Sequence, residues 1–152
     1  MKALLSIIIS LALFTSGEKI REIEYNGTPV KTTFNIPSEL YGKYTGRKTG
    51  YLQLDDDGTG TYNYDVFGFA PASCKKGAIQ MEWGFLLDEN NEIVKFQREY
   101  GLSYPILMKS TGDTQFQGCR TPVMLDFILV KKDGTIAVSS SDDWIKQLET
   151  EN

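Results

Sequence analysis

Apolar and polar residues alternate with a period of two along much of this chain, the pattern of strands with one buried face. The cleanest case is 78–87, where Ile79, Met81, Trp83 and Phe85 fall on one side and Gln80, Glu82 and Gly84 on the other. Shorter runs predict strands at 20–25, 30–36, 41–48, 51–54 and 60–64. Further strands are expected at 93–99, 104–109, 115–119, 123–131 and 135–139. Turn chemistry separates them. Asn26-Gly27 and Asp57-Gly58 are preferred hairpin dipeptides, 88–92 reverses the chain, and Lys132-Asp133-Gly134 reverses it again. Residues 36–40 read as a brief helical turn. The segment 141–148 reads as a short helix, with Ser141 as N-cap and Asp142 and Asp143 suiting the dipole of its first turn. The whole predicts one all-β domain, an antiparallel meander forming a barrel or sandwich, with a short C-terminal helix.

The three consecutive aspartates of Asp55-Asp56-Asp57-Gly58 raise the question of a calcium loop. A loop of the EF-hand kind places ligands at alternating positions and a glutamate at the twelfth. Counted from Asp55, the twelfth residue is Val66, which cannot coordinate. The flanking Leu52/Leu54 and Tyr62/Tyr64 alternations are what a hairpin joins, so the segment is read as a turn.

The N-terminus changes the picture. Met1-Lys2 gives a positive start, 3–14 is an almost unbroken apolar run, and Thr15-Ser16-Gly17 supplies small residues before polar Glu18. That is the layout of a secretory signal peptide over 1–17, and the run is shorter than the roughly 20 residues a membrane span needs. The mature chain, 18–152, is then exported, periplasmic or secreted, and free of the membrane. In an oxidising compartment the two cysteines, Cys74 and Cys119, are expected to close into a disulfide. The chain-entropy model assigns such a long loop about 4 kcal/mol of stabilisation.

Composition removes several functions. The chain has no histidine, so the usual base of a serine or cysteine nucleophile is missing, and a zinc site lacks its commonest ligand. Sixteen basic against 20 acidic residues give a net charge of −4, and loss of Lys2 with the leader makes the mature chain more acidic still. Lys75-Lys76 and Lys131-Lys132 are isolated pairs, so nucleic acid and anionic membrane surfaces are not expected partners. No cofactor, metal site or enzymatic activity is expected.

Asp126 interrupts the run V-M-L-D-F-I-L-V. A carboxylate among apolar neighbours can act as an acid or base. The plainer assignment puts Met124, Asp126 and Ile128 on a half-exposed face and Leu125, Phe127 and Leu129 toward the core. A pairing of Asp126 with Glu82 or Glu99, as in glycosidases, has no spacing to support it. Segment 65–77 reads as a loop in which Phe67 and Phe69 either plug the barrel end or dock a partner. With the disulfide formed, Phe67, Phe69, Lys75, Lys76 and Arg120 would share one semi-rigid surface.

Gly42-Lys43-Tyr44, just after the short helical turn, is similar to the Gly-x-Trp feature at the start of lipocalins, with tyrosine in place of tryptophan. With Y-G-K-Y-T-G, G-Y-L-Q-L-D-D-D-G-T-G-T-Y, Trp83 and S-S-S-D-D-W-I-K, the chain resembles the small exported lipocalin-like proteins of Bacteroidetes bacteria. The resemblance implies a meandering barrel and an interior apolar cavity. The interior aromatics either fill the barrel or, with Ile79, Met81, Trp83, Phe85 and Phe127, wall a site for a small apolar or amphipathic molecule. Two functions follow: an exported small-molecule binder, or a protein-interaction module (an inhibitor or immunity-type partner) using the Phe67/Phe69 loop.

Overall fold

The computed structural model describes residues 19–45, 50–64, 77–111, 123–139 and 141–146. Among these described residues eleven strands follow in chain order: β1 (Ile20–Tyr25), β2 (Thr28–Thr33), β3 (Gly42–Thr45), β4 (Tyr51–Leu54), β5 (Thr59–Tyr64) and β6 (Gly77–Leu86). After them come β7 (Phe96–Arg98), β8 (Gly101–Ser110), β9 (Val123–Lys131), β10 (Ile136–Val138) and β11 (Ser141–Lys146). One 3-10 turn, Ser38–Leu40, precedes β3. All pairings are antiparallel. Strands β6-β5-β4-β3-β11-β10-β9-β8 form a ring that the β6–β8 pairing closes, so the architecture is a closed eight-stranded barrel. Closure leaves the ring strands without open edges, while β1 and β7 remain outermost in the sheet.

The turns are built as their sequences dictate. Asn26 and Gly27 both have positive φ, 52° and 78°, which a two-residue turn of type I′ requires. At Asp55-Asp56-Asp57-Gly58, the Gly58 amide donates to the Asp55 carbonyl (3.1 Å) and the Asp55 amide to the Thr59 carbonyl (2.9 Å). Gly58 takes the left-handed position, φ 80°, of a three-residue hairpin loop. Asp57 Oδ1 accepts from the Thr59 amide (2.9 Å) and hydroxyl (2.6 Å), and these bonds hold its carboxyl below the usual range. Asp55 Oδ1 accepts from Gln53 Nε2 at 3.0 Å. The acidic run is a turn, and among the described residues no group of three candidate ligands could hold a metal ion.

One sequence expectation is overturned outright. Residues Ser141–Lys146 are not helical; they form β11, which pairs with β10 through Ala137↔Ile145 and with β3 through Ile145↔Thr45 and Lys146↔Tyr44. Only an extended strand can bridge β10 and β3, so ladder bonds at both edges override the local capping pattern. A register shift between Ala137 and Val138 fits β11 to its neighbour. The strand expected at 115–119 lies outside the described residues.

Two clusters hold the molecule together. The interior is occupied by Trp83, Phe85, Tyr44, Leu52, Leu54, Met81 and their neighbours. Trp83 is fully buried, donates its indole N–H to the Thr59 carbonyl (2.5 Å), and stands edge-on to Tyr41 and Phe85, with both centroid distances 5.9 Å. The second cluster lies on the outside. The β1–β2 hairpin continues the β5 side of β6 (Thr32↔Leu86, Thr33↔Phe85) and buries Ile23 with Leu107 and Val123. A latch fixes the hairpin to the acidic turn: Arg21 Nη1 donates to the Gly58 carbonyl (3.0 Å) and pairs with Glu82 (3.5 Å), its guanidinium 4.4 Å from the Phe34 ring centre.

Tyr44 closes the end beneath the 3-10 turn. Its hydroxyl donates to the Leu40 carbonyl (2.7 Å), and burial pushes its ionisation well above the ordinary tyrosine range. The raised value means that the neutral phenol is what the fold favours. The associated stability is full below the unfolded tyrosine value near 10 and is lost as pH rises through the folded value. Tyr44→Phe should therefore flatten the alkaline limb of the stability curve between about pH 10 and 12. Denaturant melts at stepped pH check this; an unchanged limb would assign it to other groups.

Candidate functional site

The ring of strands surrounds one interior, and the residues that line it can be read from the register. Partners across an antiparallel ladder point to the same face. Ile79, Met81, Trp83 and Phe85 of β6 are all buried inside, as their alternation predicts. On β8 the inward residues include Ile106 and Met108, both fully buried. Their β9 partners are Asp126 and Met124, and Ile128 pairs with Tyr104. Met124, Asp126 and Ile128 therefore face inward.

That reverses the assignment expected for β9. Leu125 is exposed at 36%, whereas Asp126 is only 4% exposed. Phe127, expected in the cavity wall, points outward and lies 6.5 Å from the ring of Phe96, itself 43% exposed. The reason is that β9 is apolar on both faces: its outer side meets Phe96 of β7, and at its start Val123 joins the outer cluster under the β1–β2 hairpin. Hydrophobicity alone then gives the face with fewer polar residues, which here is the wrong one.

Asp126 has a defined local role. Its Oδ1 accepts from the Phe127 amide at 2.7 Å, while the Phe127 carbonyl accepts from the Ser139 amide at 2.9 Å. Neither backbone group of Phe127 turns to its β8 partner Pro105, which has no N–H to offer. The carboxylate thus serves an amide where the β9–β10 ladder runs out at Ile128↔Val138.

The wall brings three methionines together with this carboxylate. Met108 and Met124 face each other one step in from Lys109↔Val123, Met108 also pairs with Trp83, and Met81 is the next inward residue on β6. The fourth methionine is Met1. Methionine has three rotatable bonds and a polarizable sulfur, so a wall of this kind re-forms around different shapes where aromatics would not. Sequence reading found Met81 and missed Met108, Met124 and the orientation of Asp126. The parity of 124, 126 and 128 grouped them correctly, but parity does not say which face is interior.

At the opposite end, beside the 3-10 turn, an open cleft of about 530 Å³ is lined by residues including Glu39, Tyr41, Asp55, Asp56 and Lys146. Lys146 shares the inward face with Tyr44, and its side chain lies over Gly42. Phe67, Phe69, Lys75, Arg120, Cys74 and Cys119 lie outside the described residues. No protein-family model matches the chain, and no curated protein or solved structure gives a significant match to it.

Proposed function

We propose that this is an exported, lipocalin-like binding protein for a small apolar or amphipathic molecule, held inside the barrel. The observation that carries the reading is the closed eight-stranded ring whose inner wall includes Met81, Met108 and Met124. Barrels of this strand number hold either packed side chains or one small ligand, and methionine is the side chain that most readily changes between the two. The lipocalin resemblance of Gly42-Lys43-Tyr44 favours the same conclusion. Here Gly42 has φ 107°, and the Lys146 side chain passes over it where a Cβ would stand. Export rests on the leader of 1–17, and β1 begins at Ile20, so cleavage after Gly17 leaves every described strand whole. A binding role rather than catalysis is favoured by a histidine-free chain with no nucleophile–base pair readable in it. The Cys74–Cys119 disulfide belongs to the same proposal.

Native mass spectrometry of the protein purified from its exporting host tests all three parts. The expected result is a chain lacking 1–17, lighter by the two hydrogens of one disulfide, and carrying an added mass that denaturation releases. A clean unliganded mass, reproduced at physiological expression, would overturn the small-molecule reading in favour of a protein partner. The exposed Phe96, Tyr100 and Leu125 would then be the first surface to examine.

A further inference from the structure

We propose that this protein self-associates through the outer edge of β7, two copies pairing antiparallel about a two-fold axis at Gln97. This interface lies on the outside of the barrel and is independent of what the interior holds. Strand β7 is last in the sheet order, bonded to β8 and to no further strand among the described residues. All three of its residues are exposed, as are Lys95 before it and Glu99 after it. The edge is also held in place. Ahead of it the Val94 amide donates to the Leu86 carbonyl (2.9 Å), and behind it the Tyr100 carbonyl accepts from the Lys132 amide (3.0 Å). A strand already fixed by its neighbours loses little freedom when a partner arrives.

The sequence around Gln97 selects a second copy as that partner. Antiparallel pairing centred on Gln97 sets Phe96 opposite Arg98 of the second copy, and Lys95 opposite its Glu99. Lys-Phe-Gln-Arg-Glu is therefore complementary to itself read backwards, with two opposite-charge pairs flanking two arginine–phenylalanine pairs. Opposite charges facing each other across a ladder stabilise it, and a guanidinium is attracted to an aromatic face. Within one chain the Arg98 guanidinium already lies 5.4 Å from the Phe96 ring centre; the pairing exchanges that contact between chains. Apolar surface adjoins the same edge. Phe96 and Tyr100 are exposed, and Phe96 meets Phe127 on the outer face of β9, where Leu125 is exposed as well.

The opposite end of the sheet supplies the contrast. Strand β1 is also outermost, but antiparallel self-pairing centred on Glu22, Ile23 or Glu24 places glutamate opposite glutamate. Like charges directly opposite destabilise a pair, and charged edges guard against strand recruitment. With β1 guarded and β7 used on both copies, the two-fold closes the assembly at a dimer.

Sedimentation velocity of the purified protein over a concentration series tests this. The expected result is a monomer–dimer equilibrium with nothing larger. Lys95→Glu and Glu99→Lys, each alone, should weaken the dimer about tenfold or more, because both symmetric pairs become like-charged. Mixed in equal amounts, the two variants should recover the original affinity to within about threefold, since each altered charge then faces its opposite. Recovery on mixing also shows that neither variant had lost its fold. A Kd weaker than about 1 mM for the unmodified protein would overturn the proposal. So would growth beyond the dimer, a dimer indifferent to both single changes, or a mixture no tighter than either variant.

Discussion

Replacing Trp83 with alanine is expected to cost about 3–5 kcal/mol of stability, the range for deleting a fully buried large aromatic. The indole is 0% exposed, and its N–H satisfies the Thr59 carbonyl. Removing it leaves that acceptor with the Asp55 amide as its remaining partner and strips the edge-on partners Tyr41 and Phe85 of their contact. Each such ring pair contributes about 0.5–1.5 kcal/mol beyond burial. Guanidinium melts followed by circular dichroism check the value. Trp83→Phe should recover roughly half the loss by refilling most of the volume. A loss below about 1.5 kcal/mol for alanine would mean that the barrel collapses into the space, and the floor of the proposed site would then be soft rather than rigid.

Gly58→Ala comes next, at about 2–5 kcal/mol. Two costs combine. The residue has φ 80°, and a left-handed conformation costs an ordinary residue about 1–2 kcal/mol. A new methyl would also come within 2.5 Å of Arg21 Nη2 and 2.6 Å of the Phe34 ring, where overpacking costs about 1–3 kcal/mol. Arg21 can move aside, but doing so gives up its bond to the Gly58 carbonyl and its approach to Glu82. Hydrogen exchange locates the damage: protection should fall in β1 and β2 ahead of the ring strands. Gly27→Ala serves as the contrast, because that glycine has φ 78° but nothing within reach of an added carbon. It should lose only the conformational part. Equal losses at the two sites would show that the latch contributes nothing.

The strand pattern was legible wherever one face of a strand meets water. Residues 79–85 alternate, and Ile79, Met81, Trp83 and Phe85 are inside. The turns were legible because backbone sterics act locally: Asn26-Gly27 and Asp57-Gly58 take the positive φ values that their residue types permit. What failed depended on distant parts of the chain. Nothing in S-S-S-D-D-W-I-K announces that β3, about a hundred residues earlier, needs a partner, so β11 reads as a helix. Likewise V-M-L-D-F-I-L-V is apolar on both sides, and only the neighbours Phe96 and Ile106 decide which side is interior. The candidate site inherits both difficulties. Its β6 wall was readable, while the methionine pair and the inward carboxylate required knowing the β8–β9 register.

Closure through β11 also has a consequence for how the chain reaches this state. The Thr45↔Ile145 pair joins positions a hundred residues apart, whereas the hairpins of β1–β2, β3–β4 and β4–β5 join near neighbours. Local hairpins of this kind form in microseconds, but contacts of high sequence separation must first overcome loop-closure entropy and set the slow phase of folding. Until β11 docks, β3 and β10 each present an unpaired edge, the feature by which strands of separate molecules recruit one another. The interval before closure is therefore when this protein is most exposed to aggregation.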